Sequence, residues 1–220
     1  MTRAIIFDTE TTGKVDPILI EAAWLQLDNL NPFSTSASFN QRYNPNKKIE
    51  LAALATHHIL DEELIGCPSS TTFNLPDNTE YLIGHNIDYD WNVIGQPNIK
   101  RICTLALARM VWPELDAHNQ SALLYFVDRQ NARDKLKNAH SALADVENCS
   151  FILEKIIKKL GVSTLDELWR MSEKARIPSH MTFGKHKGVA IVDIPKDYKT
   201  WLLNQDNVDS YLRKALEIYK

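Results

Sequence analysis

Three large apolar residues, Ile5, Ile6 and Phe7, form a run near the start of the chain that ends in two acids, Asp8 and Glu10. A continuous apolar run of this kind predicts a β-strand buried on both faces, as at the centre of an α/β sheet. Side chains alternate along a strand, so the two acids are expected on the same side of it. There they either cap the end of the strand where it meets water or form a site for a divalent cation. The run by itself leaves both interpretations open.

Further strands follow without a helix-length pattern between them. Residues 18–27 and 38–43 predict a second and a third strand, which favours an antiparallel meander with the first. Two shorter apolar runs, 81–84 and 101–104, predict two more strands. Helices are predicted over 49–56, 106–111 and 121–127, and a long helix opens near residue 140 and ends at Gly161. Strands and helices in this order predict an α/β protein.

The last quarter of the chain has a pattern of its own. Helices are predicted over 164–175, 196–204 and 209–219. Between the first two, glycines at 184 and 188 bracket a Lys-His-Lys sequence, which predicts a hairpin tip with residues 189–192 as the returning strand. Lys185 and Lys187 at this tip either contact phosphates or belong to a solvated turn.

Composition is that of an ordinary globular protein, with 44% hydrophobic and 24% charged residues. No apolar run approaches the roughly 20 residues that cross a bilayer, and Asp8 follows the first apolar run too early for a signal peptide. The three cysteines show neither metal-ligand spacing nor the even number of a disulfide framework. We therefore expect reduced thiols, no membrane association and a cytoplasmic location.

The net charge of −3 is unevenly distributed. Residues 1–120 carry 8 basic and 15 acidic residues, whereas residues 121–220 carry 17 and 13. An acidic half that concentrates metal ions and a basic half that holds phosphates would suit a polyanionic substrate. An uneven but merely solvated surface explains this modest difference nearly as well.

Polar clusters recur where predicted elements begin or end. His85, Asn86, Asp88 and Asp90 follow the strand over 81–84, at the strand end where ligands gather in open α/β sheets. Asp145 lies in the first turns of the long helix, with His140 at or just before its start. Each cluster alone also fits ordinary helix capping or an ordinary surface position.

Taken together, the three clusters resemble the three motifs of the DEDDh 3′–5′ exonucleases in order and spacing. The matching patterns are Asp8-x-Glu10, His85-Asn86-x-x-Tyr89-Asp90 and His140-x-x-x-x-Asp145, which supply all five hallmark residues of the superfamily: Asp8, Glu10, Asp90, His140 and Asp145. Asp88 is an additional acid within the second motif. The chain also resembles exonuclease X-like members in its Phe-Gly-Lys-x-x-Gly segment and the residues that follow it.

This resemblance implies an RNase H-like exonuclease fold. Its mixed central sheet, three antiparallel strands and then parallel strands, would be flanked by helices and followed by a small α+β C-terminal extension. It also implies an exonuclease domain over 1–163 and an exonuclease X-like C-terminal region over 164–220.

Phosphodiester hydrolysis needs an activated water, charge neutralisation at the phosphate and help for the leaving oxygen, which two divalent ions supply. We expect two Mg²⁺ ions, with Mn²⁺ as a substitute: Asp8, Glu10 and Asp145 at the first, Asp8 and phosphate oxygens at the second, and Asp90 acting directly or through water. Histidine titrates near 6.5 in isolation, which suits His140 as the general base. Nucleic-acid contacts are expected at residues beside the motifs and in the tail: Thr11, Thr12, His85, Asn86, Lys185 and Lys187.

The expected function is therefore a magnesium-dependent 3′–5′ exodeoxyribonuclease that releases nucleoside 5′-monophosphates from the 3′ ends of DNA. RNA is the alternative substrate, because the metal site treats both sugars alike and discrimination by the 2′-hydroxyl depends on other contacts. A nucleic-acid-binding module that keeps the fold without turnover is an alternative from another class. That alternative predicts damage to at least one hallmark residue, and all five are intact. No protein partner is indicated.

Overall fold

The structure, a computed structural model, describes residues 3–219. Its five strands are β1 (Arg3–Thr11), β2 (Leu19–Leu30), β3 (Phe33–Arg42), β4 (Thr79–Gly84) and β5 (Lys100–Cys103). They form one sheet in the order β3-β2-β1-β4-β5. The first three strands pair antiparallel, and β1, β4 and β5 pair parallel. This is the predicted mixed sheet, with β1 at its centre.

The helices are α1 (Leu51–His57), α2 (Asp88–Val93), α3 (Thr104–Val111), α4 (Gln120–Val127), α5 (Ala132–Lys135), α6 (Ala142–Leu160), α7 (Leu165–Arg176), α8 (Lys196–Leu203) and α9 (Ser210–Ile218). Four short 3₁₀ turns begin at Asp61, Ser70, Leu136 and Ile191. No helix among residues 3–219 is both long enough and apolar enough to cross a bilayer.

β1 is buried because both of its faces are covered. Ile5, Ile6 and Phe7 are at most 1% exposed. Phe7 stacks on Phe73 from the loop before β4, with ring centroids 5.8 Å apart. The long helix α6 packs against β1 and β2. At about 25 cal/mol per Å² of apolar surface, burying such side chains is the main stabilising contribution to this layer.

α6 begins and ends where the sequence predicts. Its apolar side chains recur at helical spacing, and Val146, Cys149, Ile152 and Ile156 are fully or almost fully buried. The helix ends at Gly161, whose φ of 67° lies in the left-handed region that glycine adopts without a steric penalty. One face of α6 therefore belongs to the core, while its first turn is left at the end of the sheet.

The chain divides into two compact units, one ending at Ser172 and the other starting at Glu173. The division falls within α7. The second unit has its own apolar cluster, in which Met181 and Ile191 pack with residues of α8 and α9. A buried lysine, Lys199, donates from Nζ to the carbonyls of Val192 (3.1 Å) and Tyr219 (2.8 Å), which joins the 3₁₀ turn at Ile191 to the residue after α9.

The predicted returning strand over 189–192 is wrong. Among the described residues of the second unit, the only β-pairing is an isolated bridge between His180 and Ala190, so the expected α+β extension is mainly helical. Ile191 is fully buried and starts a 3₁₀ turn, Ile191–Asp193. A short apolar run fits a strand or a buried turn equally well, and here packing against Met181 and the helices decides.

Candidate active site

Three carboxylates meet at the end of β1. Asp8 and Glu10 lie two residues apart on β1 and Asp145 lies in the first turn of α6. One oxygen from each side chain lies within 4.8 Å of the other two. Carboxylate oxygens are the ligands that Mg²⁺ and Mn²⁺ prefer, so these residues fit the predicted cation.

The backbone before α6 fixes the position of Asp145. Its Oδ2 accepts a hydrogen bond of 3.1 Å from the backbone N–H of His140. His140 has a φ of 68°, in the left-handed region, which turns the chain into the helix. Its imidazole is exposed, and in the described part of the chain it has no hydrogen-bond partner. The motif spacing of five residues thus corresponds to a direct contact between His140 and Asp145.

Hydrogen bonds from Thr9 of β1 hold Asp90 beside this cluster. Thr9 donates both its backbone N–H (3.0 Å) and its hydroxyl (2.6 Å) to Asp90 Oδ1. The carboxylate is almost fully buried in α2. Asp88, two residues earlier, instead forms an ion pair with Arg101. The structure therefore places Asp90, and not Asp88, against the acids of β1.

Burial and mutual repulsion make it difficult to ionise all four acids together. Burial raises the pKa of Asp8 well above its usual value, with further contributions from Asp90, Asp145 and Glu10. Burial likewise raises the pKa of Glu10 to about 9, and that of Asp90 to about 7 despite the hydrogen bonds from Thr9. The pKa of Asp145 is also raised by burial. Acids that repel one another in this way are suited to sharing divalent cations.

Glu21 is a buried acid of this region that the motifs do not include. It faces Glu10 in the pairing of β1 with β2 and is only 3% exposed. Its Oε2 accepts a 2.9 Å hydrogen bond from the N–H of Ala142, the first residue of α6, and its Oε1 lies 3.3 Å from Nε of Arg42. Glu21 therefore ties the start of α6 to the sheet. The sequence signal was an acid that interrupts an apolar strand.

A cleft of about 780 Å³ opens beside Glu10. It is lined by Thr11 and Glu50, by Ala52 and Ala53 of α1, and by Asn86 and Tyr89. The Tyr89 hydroxyl lies 2.6 Å from Thr11 Oγ1 and donates to the carbonyl of Gly13 at 3.1 Å. A Cβ at Gly13 would lie 2.1 Å from Glu50 Cδ, so a larger residue there would require the Glu50 side chain to move. Tyr89 and Glu50 are cleft residues that were not predicted as contacts.

The four contacts predicted around the motifs differ in access. Asn86 is exposed in the cleft, and the largely buried Thr11 also lines it. Thr12 is fully buried, and its hydroxyl accepts from the N–H of Ile18 at 3.1 Å, so its predicted nucleic-acid contact stays a prediction.

Both ring nitrogens of His85 also have hydrogen-bond partners within the protein. Its Nδ1 lies 3.0 Å from Thr104 Oγ1, and its Nε2 lies 2.9 Å from the carbonyl oxygen of His118. Burial lowers the pKa of the ring to about 4, so it is neutral near pH 7. Both ring nitrogens are therefore paired within the protein, and the predicted nucleic-acid contact of His85 stays a prediction. His85 joins β4 to α3 and to the loop before α4.

Comparison with known proteins covers nearly the whole chain. Exodeoxyribonuclease 10 of Escherichia coli (strain K12) is 27% identical in an alignment of 223 positions that covers 97% of each protein. DNA polymerase III subunit epsilon of Buchnera aphidicola subsp. Schizaphis graminum is 29% identical in an alignment of 177 positions that covers 70% of this chain and 72% of that one. The solved structure of exonuclease X in complex with 5′ overhanging duplex DNA matches with a TM-score of 0.63 at 22% identity, over 77% of this chain and 99% of that one. Over nearly its whole length the chain is therefore similar to exonuclease X-like proteins of the DEDDh type.

The likeness to exonuclease X confirms the RNase H-like exonuclease fold predicted for this exonuclease X-like chain. The curated relatives confirm the predicted enzyme class, a 3′–5′ exonuclease. A family model described as "Putative quorum-sensing-regulated virulence factor" matches residues 174–219. That segment nearly coincides with the second compact unit, which starts at Glu173.

Proposed function

We propose that this exonuclease X-like protein is a metal-dependent 3′–5′ exodeoxyribonuclease that releases nucleoside 5′-monophosphates. The observation that carries this proposal is the cluster of Asp8, Glu10 and Asp145 oxygens within 4.8 Å of one another on an exonuclease fold. The likeness to an exodeoxyribonuclease over 97% of both chains supports DNA as the substrate.

Asp8, Glu10 and Asp145 would hold one divalent cation, and Asp8 with oxygens of the scissile phosphate would hold a second. Asp90 would contribute directly or through water. Mg²⁺ is the expected ion, and Mn²⁺ should substitute. When bound, two such cations neutralise charge on the phosphate as water attacks and the 3′-oxygen departs. Without them, those acids that remain ionised would repel the substrate.

His140 would accept the proton from the attacking water. Its backbone is anchored by the hydrogen bond to Asp145, whereas its imidazole is exposed. An exposed imidazole beside the acids would be placed to accept this proton. The bond that forms joins the water oxygen to phosphorus, and the bond that breaks releases the 3′-oxygen, which takes a proton from solvent.

The cleft beside Glu10 would take the terminal nucleoside. Ala52 and Ala53 provide an apolar wall for the base, whereas Asn86 and Tyr89 provide polar groups for the sugar. The phosphate that follows the terminal nucleoside would then lie at the acids, which limits cleavage to the last linkage. Lys185 and Lys187 would contact backbone phosphates elsewhere on the strand.

The proposal is tested with single strands of one sequence, as DNA and as RNA, labelled at the 5′ or the 3′ end and incubated with Mg²⁺. With 3′-labelled DNA, labelled mononucleotide 5′-phosphate should appear first. With 5′-labelled DNA, the label should remain on strands that shorten one nucleotide at a time. Internal fragments from 3′-labelled strands would contradict exonuclease action. Faster loss of RNA than DNA would assign the activity to RNA.

A further inference from the structure

Three aromatic rings of the second unit lie against one another at its surface. The rings of His186 and Tyr198 have centroids 4.5 Å apart, and those of Tyr198 and Trp201 are 5.3 Å apart. Tyr198 and Trp201 are on α8, whereas His186 comes from the turn over 184–188. Trp201 ends the row and is 52% exposed. A large exposed ring that rests on other rings is already ordered before any partner binds.

The turn over 184–188 packs against Tyr198. Lys187 N–H donates to the carbonyl of Gly184 (3.1 Å), and Gly188 N–H donates to that of Met181 (2.8 Å). Gly184 has a φ of 70°, and a Cβ added to it would lie 3.1 Å from the hydroxyl oxygen of Tyr198. Glycine is therefore needed here both for the backbone conformation and for the contact. The row of rings is a defined surface.

Two lysines flank the ring of His186 in this turn. Lys185 and Lys187 are exposed, and within the described part of the chain neither forms an ion pair or a hydrogen bond through its side chain. From residue 173 onward the chain carries nine Lys and Arg residues and six Asp and Glu residues. Asp197, one helical turn before Trp201, is an opposing charge at the same surface.

We propose that this aromatic–basic face, defined as Lys185, His186, Lys187, Tyr198 and Trp201, is a binding site for single-stranded DNA. A base stacks on the exposed ring of Trp201, and the two lysines meet neighbouring phosphates. Stacking platforms beside unpaired cations are the usual means of holding a single strand without reading its sequence. The charge of the face favours a polyanion over an apolar protein segment. Only the choice of DNA over RNA rests on the proposed function.

The test measures binding by the full-length protein in excess chelator. Without divalent ions the acid cluster holds no cation to bind a phosphate, so binding at the proposed active site is weakened and nothing is cleaved. Fluorescence anisotropy of a labelled oligothymidylate of about 16 nucleotides reports affinity, since single-strand sites span about 4–16 nucleotides. Tryptophan emission, which stacking quenches, is recorded in the same titration.

Trp201→Ala should weaken binding about 5- to 100-fold, the effect of losing one stacked base, and Trp201→Phe should restore most of it. The quenching should disappear in Trp201→Phe. Tyr219→Ala is the matched control, because it removes an exposed aromatic ring of the same unit that lies outside the face. Thermal melting of each variant checks that the unit is folded.

Lys185→Ala with Lys187→Ala should weaken binding and reduce the salt slope by about 0.7 for each phosphate that a lysine no longer neutralises. Lys174→Ala, at another exposed lysine of the unit, should change neither. Asp197→Asn should strengthen binding. Equal affinities for wild type and folded Trp201→Ala, or equal losses in Trp201→Ala and Tyr219→Ala, would overturn the proposal.

A further measurement distinguishes failure of the proposed function from failure of the proposed binding face. Asp8→Ala should bind the oligonucleotide like wild type in chelator, yet show no hydrolysis when Mg²⁺ is added. Hydrolysis that survives Asp8→Ala would contradict the assigned active site and leave the face intact. Tighter binding of an RNA of matched sequence and length would contradict the choice of DNA.

Discussion

Asp88 and Asp90 are two residues apart, but they have different surroundings. Asp90 is buried against β1 with two hydrogen bonds from Thr9, whereas Asp88 pairs with Arg101. Burial raises the pKa of Asp90 to about 7. A nearby cation would lower this pKa again, because it favours the ionised carboxylate. The difference lies in the contacts of each side chain, since the residue type is the same.

Asp90→Asn should therefore lower the rate of DNA hydrolysis by at least about 10²-fold, because even outer-shell partners of a metal site are worth about 10- to 100-fold. Asp88→Asn is the matched control and should stay within a few-fold of wild type. Initial rates at saturating Mg²⁺ measure both. If Asp88→Asn were the slower enzyme, the second motif would be assigned to the wrong acid.

His140 combines a left-handed backbone with an exposed imidazole, so the test substitution must keep the first and remove the second. Asparagine tolerates positive φ better than most residues, which makes His140→Asn preferable to alanine. The rate should fall about 10²- to 10⁴-fold, the usual cost of losing a general base. Mn²⁺ affinity measured by calorimetry should change little, since no acid of the cluster is altered.

His180→Asn is the control for His140, because it removes an exposed histidine of the second unit. It should leave the rate unchanged. Wild-type turnover in His140→Asn would remove this residue from the proposed mechanism. A large loss of Mn²⁺ affinity would instead assign it to the metal site.

At the scale of elements, the site depends on how α6 is joined to the sheet. Glu21 of β2 accepts from the first N–H of α6, while its other oxygen pairs with Arg42 of β3. This one buried carboxylate of β2 contacts both β3 and α6, and α6 carries Asp145. The position of Asp145 therefore depends on a residue that lies 124 positions earlier in the chain.

Glu21→Ala should lower the free energy of unfolding by about 1–3 kcal/mol, because the N–H of Ala142 is left buried without a partner. Activity should fall as well, since the first turn of α6 loses its anchor. Glu21→Gln keeps an acceptor oxygen and should retain more of both. Denaturant titrations and initial rates measure the two effects.

Asp28→Ala, on the same strand but exposed, is the control for Glu21 and should leave stability within about 0.5 kcal/mol of wild type. If Glu21→Ala matched this control in stability and rate, the hydrogen bond to α6 would be unimportant for the site.

For the whole molecule, the fold followed from features that are local in sequence. The apolar run at Ile5–Phe7 predicted the central strand, and the spacing between His140 and Asp145 corresponds to a direct hydrogen bond. What the sequence could not show depends on register and tertiary burial. The hydrogen bond from the N–H of Ala142 to Glu21 depends on the pairing of β1 with β2 and on the position of α6.

The surroundings of residues beside the motifs also depend on tertiary packing. Thr12 and His85 are adjacent to the motifs, yet their polar atoms bond to Ile18, Thr104 and His118, which lie elsewhere in the chain. A motif shows which residue types occur together, but access to a ligand depends on how neighbouring elements cover them. Residues 189–192 are similar, because an apolar run does not specify whether it pairs or packs.

Metal dependence tests the central claim most directly. Release of mononucleotide from 3′-labelled single-stranded DNA is measured with wild type and Asp8→Ala, first in excess chelator and then after Mg²⁺ is added in excess. Wild type should be inactive in chelator and recover fully with Mg²⁺, whereas Asp8→Ala, with the shared ligand removed, should stay inactive in both. Undiminished release by wild type in chelator, or substantial release by Asp8→Ala in Mg²⁺, would contradict a metal-dependent site built on these acids.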